Sequence, residues 1–339
     1  MARPRSTDTV DNVSALQRGF DVLECVAASP VPLGNAEVSA LTGIPRPTVS
    51  RLMATLVSMG HLRLSIDGER YELASGLVRL AQAFLGAIDV RAWARPHLSA
   101  LAEATGVSAL LGVRDGNEML VVEAMRSRSA VAVFRADVGT RMALPTSALG
   151  RAWLAGIDAT AREALIAGWR KGASLGRDAG VRARGRTTTP DVDQAWAEPA
   201  MPPVATDALA AMQAELTRVP EQGFALSIGE WHPGINAVAV PVRTPGGEVV
   251  AINCGGPAFV LDVERIHGFV LPKLLAAAEA IGRDIGGTAG RALTLSTASQ
   301  DMIDDPAIKA GSMPRRKTPS TPAKAPSKKR AAHSIGDKT

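Results

Sequence analysis

Arg46, Pro47, Thr48, Ser50 and Arg51 stand within six consecutive positions and carry the clearest chemistry in the chain. A guanidinium group can pair with phosphate or fork onto a guanine edge, and Thr and Ser hydroxyls serve phosphate or base. Such contacts require the five residues to lie on and around the outward face of one helix that enters the DNA major groove. Arg70 follows in a separate segment, from which it could reach the DNA backbone or the minor groove. A competing chemistry is nucleophilic. Cys254, Glu230 and His232 supply a thiol, an acid and a base, the residue types of a cysteine-dependent hydrolase. Cys254, however, follows a run of strand-forming apolar residues, where a free cysteine usually serves as a small apolar side chain. None of the histidines His61, His97, His232, His267 and His333 pairs at metal-ligand spacing with another His or a Cys, and Gly286-Gly287 lacks the pattern of a phosphate loop. No catalysis, metal or cofactor is therefore expected.

The elements that must position the arginines are legible around them. Val13, Leu16, Phe20, Leu23 and Ala27 recur at three- and four-residue intervals and predict a helix over residues 12–28 with that stripe inward. Pro30 and Pro32 stop it. A short helix is expected from Asn35, with Glu37 in its first turn, to about Thr42, and Gly43 supplies the exit. A third helix follows, with Val49, Leu52, Met53, Leu56 and Val57 as its buried stripe. Pro45 and Pro47 suit its start, where the N–H groups have no internal partner to lose. Leu62, Leu64 and Ile66, then Asp67-Gly68, then Tyr71 and Leu73 form a hairpin signal. Helix, short helix, tight turn, helix and hairpin amount to a winged helix-turn-helix over residues 12–75. The bland alternative is a helical bundle with a hairpin that contacts only protein.

The 339 residues suffice for about two domains. A formal net charge of +5 invites a nucleic-acid reading, but residues 311–339 alone carry +7, so the remaining chain is slightly acidic. Residues 1–80 sum to zero, and DNA binding must rest on local placement. The basic end supports a different alternative, a nonspecific DNA-coating protein whose binding would depend steeply on salt. Two distant cysteines suggest no disulfide framework, and no apolar run approaches the roughly 20 residues that span a bilayer. A cytoplasmic protein is expected.

A linker helix is predicted over residues 76–91 and an α+β domain with an antiparallel sheet over 92–286. Its parts are a helix near Trp93–Thr105, strands at Val107–Val113, Met119–Ala124 and Ala130–Phe134, and helices beginning near Ser147 and Ala161. A hairpin about Pro245-Gly246-Gly247 and a closing helix Val263–Ile285 complete it. Residues 170–206 lose apolar periodicity and read as a mobile insertion. Residues 1–11 and 287–339 are expected to be disordered, the latter as a basic tail.

Ile44-Pro-Arg-Pro-Thr-Val-Ser-Arg-Leu, Gly60-His-Leu and Glu69-Arg-Tyr-Glu-Leu resemble the DNA-binding half of the IclR family of bacterial transcriptional regulators. The later motifs agree: Ala94-Arg-Pro-His-Leu, Thr146-Ser-Ala-Leu-Gly-Arg-Ala-Trp-Leu-Ala, Gln222-Gly-Phe-Ala, Gly229-Glu230, Ala239-Val-Pro-Val and Gly255-Gly-Pro. The resemblance spans about residues 12–285 in the family's order. It implies a winged-helix domain and a GAF-like domain that binds a small organic or aromatic acid, in a homodimer or tetramer on operator DNA. The effector pocket it implies falls on Ala148, Leu149, Ser227, Ala237, Asn253, Cys254 and Gly255. An anion there would suit the free N–H groups of a helix N-terminus. Ser227, Ala237, Asn253, Gly255 and Pro145 depart from common family residues toward a less polar lining, and a larger or partly apolar ligand is expected.

Overall fold

The computed structural model describes residues 14–128, 136–170 and 206–293. Helices α1 (Ser14–Ala27), α2 (Asn35–Thr42) and α3 (Arg46–Ser58) pack around Val22, Val26, Val38, Val49, Met53 and Leu56. Strands β1 (Leu62–Leu64) and β2 (Tyr71–Leu73) form the wing, with Leu64 opposite Tyr71. Gly43 takes φ 72° at the exit of α2, a left-handed conformation that favours glycine and lets α3 turn away at once.

Of the stripe expected on α1, Leu23 packs half-buried on the core but Leu16 and Phe20 do not. Val22 and Val26 are buried, whereas Leu16 is 62% and Phe20 57% exposed. Both sets have helical spacing, and the placement of α2, α3 and the wing decides which one meets the core. Asn35 is the first residue of α2 and Gly34 caps it, with the Glu37 carboxylate accepting from the Gly34 N–H at 2.8 Å. The linker helix α4 (Gly76–Gly86) buries no residue fully. Its start abuts the wing: a Cβ on Gly76 would lie 2.3 Å from the Gly60 carbonyl oxygen.

The rest is an antiparallel sheet of order β5-β4-β3-β8-β7-β6 between helices. Its strands are β3 (Ser108–Asp115), β4 (Glu118–Met125), β5 (Arg141–Ala143), β6 (Ala225–Ile228), β7 (Ile235–Arg243) and β8 (Val249–Pro257). Helix α5 (Asp89–Thr105) packs on one face. On the same face lies a closing segment of one helical turn α9 (Val263–Arg265), a π-helical turn (Ile266–Val270) and α10 (Leu271–Ile285). Helix α6 (Ala148–Gly156) packs on the other face, with α7 (Ala159–Arg170) and α8 (Thr206–Gln222) beside it. Strand alternation sorts the side chains: Val238, Val240, Ile252 and Cys254 face α5 and α10, and Ala239 and Ala251 face α6. The small side chains admit α6 close to the sheet. A Cβ on Gly156 would sit 2.8 Å from Val249 and 2.9 Å from Pro241.

Several expectations are revised. The closing helix is broken by the π-helical turn, α8 and β6 were not foreseen, and β8 runs on to Pro257. The ordered chain passes the expected boundary at 287, because β9 (Thr288–Ala289) pairs with β7 and Leu293 is buried. That order is long-range and leaves no local periodicity. The strand expected at Ala130–Phe134, most of the 170–206 insertion, residues 1–11 and the basic cluster in 311–339 lie outside the described residues. Among the described residues no helix is long and apolar enough to cross a membrane.

Candidate functional site

The first site is the outer face of α3. Val49, Met53 and Leu56 hold the helix on α1 and α2, so Arg46, Pro47, Ser50 and Arg51 project outward and Thr48 is half-buried. Neither Arg46 nor Arg51 has an acidic partner among the described residues, which leaves two uncompensated guanidinium groups on one exposed face. The wing differs. Arg70 donates to both oxygens of Glu37 at 3.1 Å and to the Pro32 carbonyl at 2.8 Å, so it ties the wing to α2. Arg63 pairs with Glu72 at 3.1 Å. The wing tip is acidic: Asp67 accepts from Ser65 Oγ and the Glu69 N–H, and these bonds hold its carboxyl below the ordinary carboxylate range. The expected contact through Arg70 therefore falls on a side chain already engaged within the module.

The second site lies on the α6 face of the sheet. Register places Ser227, Ala237, Gly255 and Ser108 in one row across β6, β7, β8 and β3, and Ala225, Ala239, Asn253 and Leu110 in the next. Ser227 Oγ donates to the Thr146 carbonyl at 2.7 Å and ties this row to the turn before α6. Ser147 caps α6 by accepting from the Gly150 N–H at 3.0 Å. The N–H groups of Ser147 and Arg151 reach the Ala143 and Ser147 carbonyls, which leaves those of Ala148 and Leu149 without an acceptor among the described residues. Asn253 is 2% exposed, and its Oδ1 meets no donor.

Six of the seven expected effector residues thus belong to this face or to the helix beside it, and Cys254 does not. Successive residues of a strand point to opposite faces, so Cys254 cannot share the lining with Asn253 and Gly255. Its thiol lies among α5 and α10 residues, hydrogen-bonded to Thr105, and complete burial pushes its pKa up to about 12. At that value it is protonated at neutral pH and cannot act as a nucleophile. Glu230, the acid of the hydrolase alternative, is engaged elsewhere.

Its partner is Arg151, which the sequence reading missed. Arg151 is 2% exposed, the one charged residue in an apolar helix. It forks onto Glu230 at 2.6 and 2.8 Å and donates to the Pro145 and Leu226 carbonyls, each at 2.8 Å. A lone arginine amid Ala, Leu, Gly and Trp signals a buried partner, but a carboxylate 79 positions away is found only by folding. A separate open hollow of about 420 Å³ beside α6 and α7 is lined by Arg114, Trp153, Ile157, Ala161, Ala164 and Leu165, outside these rows. Among the described residues no three His, Cys, Asp or Glu side chains converge as a metal site.

Comparisons with known proteins agree with this division. The IclR helix-turn-helix domain matches residues 15–64, and the bacterial transcriptional regulator IclR C-terminal domain matches 82–174 and 192–283. The HTH-type transcriptional regulator TsaQ1/TsaQ2 of Comamonas testosteroni is 35% identical over 175 residues, 51% of this chain and 62% of that regulator. The crystal structure of an IclR family transcriptional regulator from Brucella abortus superposes with a TM-score of 0.59 at 29% identity, covering 84% of this chain and 97% of that one. An IclR homologue from Microbacterium hydrocarbonoxydans, complexed with 4-hydroxybenzoate, shares the fold with a TM-score of 0.59 at 23% identity, over 80% of this chain and 99% of that one. With both halves matched in order over most of the chain, the protein belongs to the IclR family of DNA-binding bacterial transcriptional regulators.

Proposed function

We propose that this regulator binds a pseudo-palindromic operator as a homodimer or higher homo-oligomer, and that a small organic acid bound on the α6 face changes its operator affinity. Arg46, Pro47, Thr48, Ser50 and Arg51 supply the groove contacts, and Arg70 supports the wing. Leu16 and Phe20 on α1, and Val78, Leu80 and Phe84 on α4, are large exposed apolar side chains that a second copy would cover. The effector reading is carried by one juxtaposition: unsatisfied N–H groups at the start of α6 beside a lining that holds an unsatisfied buried amide oxygen. Buried polar groups are ordinarily paired, and a carboxylate suits a helix N-terminus. The complex of the Microbacterium homologue with 4-hydroxybenzoate agrees with such a ligand. Ligand shifts operator affinity by binding two orientations of the paired DNA-binding modules unequally.

The test is fluorescence anisotropy on DNA from around the protein's own gene and on random duplex, with aliphatic and aromatic acids added in turn. Preference for one duplex that at least one acid alters, and that Arg51→Ala abolishes, is the expected result. Equal, steeply salt-dependent binding to both duplexes that vanishes on deletion of residues 311–339 would establish the nonspecific alternative instead.

A further inference from the structure

We propose that the hollow beside α6 and α7 is a second ligand site, which takes an alkyl monocarboxylate of the fatty-acid type with its head group on Arg114. The site is separate from the sheet-face rows and does not rest on them. Its floor and walls are apolar: Trp153 and Ile157 come from α6 and its C-terminal end, and Ala161, Ala164 and Leu165 from α7. Arg114, near the end of β3, supplies the one charge in the lining. At about 420 Å³ the hollow has the size of a small-molecule site, and such sites combine an apolar lining with a few placed polar groups. Two ties fix its outer wall. Arg162 Nη1 donates to the Leu154 and Ile157 carbonyls at 3.3 and 3.4 Å, and Trp169 Nε1 donates to Asn117 Oδ1 at 3.4 Å. Helix α7 is thereby held to the end of α6 and to the turn after β3.

The head group follows from what Arg114 is free to do. Its Nε donates to the Gly116 carbonyl at 2.8 Å, across a turn in which Gly116 takes φ 64°, and its guanidinium carbon lies 5.1 Å from the centre of the Trp153 ring. One edge of the guanidinium is spent on orientation, and the two Nη groups have no hydrogen-bond partner among the described residues. The neighbouring acids do not compete, because Asp115 and Glu118 both pair with Arg141. A planar fork oriented in this way matches a carboxylate through two parallel hydrogen bonds. The body of the ligand follows from the walls. Trp153, the one aromatic ring in the lining, is 6% exposed and has the guanidinium over it, so little of its face is left for a ligand ring to stack on. Ile157, Ala161, Ala164 and Leu165 offer alkyl contacts instead. The complement of this lining is an alkyl chain that ends in a carboxylate.

The experiment titrates the full-length protein by calorimetry with butanoate, hexanoate, octanoate and decanoate below their micellar concentrations, with octan-1-ol and benzoate alongside. Each added methylene should tighten binding about fourfold until the hollow is full, and octanoate should bind at least about tenfold more tightly than octan-1-ol. Arg114→Ala should erase the advantage of octanoate over octan-1-ol while keeping the dependence on chain length. Ala164→Phe, which fills the hollow from an exposed position on α7, should abolish binding of both. Absence of saturable binding by octanoate and decanoate overturns the proposal. An octanoate affinity that neither variant changes also overturns it, since the acid would then sit elsewhere on the protein. Arg114-dependent binding of benzoate tighter than that of octanoate overturns the alkyl assignment. The sheet-face pocket is unaltered in both variants and stands or falls by the operator assay.

Discussion

Arg151→Met tests the packing argument most directly. Methionine fills much of the volume of the arginine stem, so the change removes the hydrogen bonds and little else. Two buried carbonyls, Pro145 O and Leu226 O, lose their donor, and Glu230 loses its fork. Each orphaned carbonyl costs about 1–3 kcal/mol. The Glu230 side chain is 33% exposed, so water takes up much of its loss and the ion pair itself adds little. A total of about 3–5 kcal/mol is expected, in line with removal of one partner of a buried pair. At roughly 2–4 °C per kcal/mol for a unit of this size, the melting temperature falls by about 6–20 °C. Thermal unfolding by circular dichroism measures it. Glu230→Gln should cost less, about 1–2 kcal/mol, because the amide oxygen still accepts one arm of the fork. The double variant should cost less than the two separate losses combined. Because Leu226 precedes Ser227, Arg151→Met should also weaken the response to acids. A loss within about 1 kcal/mol of wild type, or strict additivity with Glu230→Gln, would refute the assignment of Arg151 as the anchor between α6 and β6.

Other outcomes follow from the same structure. Glu69→Lys should tighten DNA binding and steepen the slope of log affinity against log salt by about one unit, since the wing tip has no free cation to begin with; an unchanged slope would place the wing away from phosphate. Alkylation of the native protein at pH 8 should spare Cys254 until denaturant is added, and Cys254→Ala should bind operator as wild type does. Rapid native labelling of Cys254 would contradict its burial. The Gly34 N–H, and then Arg70, hold the Glu37 carboxyl below its ordinary value of 4.5 against the opposing effect of desolvation. A carboxyl depressed in the folded state stabilises above its unfolded pKa and ceases to do so as pH falls through the folded value. The tie between wing and α2 should therefore be intact at neutral pH and weaken below about pH 4.5. Acid unfolding followed by circular dichroism should show Glu37→Gln less stable than wild type at neutral pH and the difference narrowing in acid.

The winged module was legible because its determinants are local. The stripe at Val49, Met53 and Leu56, the left-handed exit at Gly43 and the Asp67-Gly68 turn each act over a few residues, and these elements appear where the spacing puts them. The α1 stripe was misassigned because periodicity marks an apolar face without naming what covers it. Leu16 and Phe20 satisfy the helical repeat as well as Val22 and Val26 do, and the core shared with α2, α3 and the wing takes in only the latter.

By itself, then, the sequence determined the element types, the arginine face of α3 and the family, since these depend on residues close in the chain or on motifs kept in order. Tertiary structure decided which side chains share a face of the sheet. Strand parity separated Cys254 from Asn253 and Gly255, pairing across β6, β7, β8 and β3 brought Ser227, Ala237, Gly255 and Ser108 into one row, and folding carried Glu230 to Arg151 and Glu37 to Arg70. Strand parity acts between neighbours, but the pairings and ion pairs join residues ten or more positions apart. Whether a buried polar group is satisfied depends on what the rest of the fold places within about 3 Å of it, which spacing along the chain does not encode.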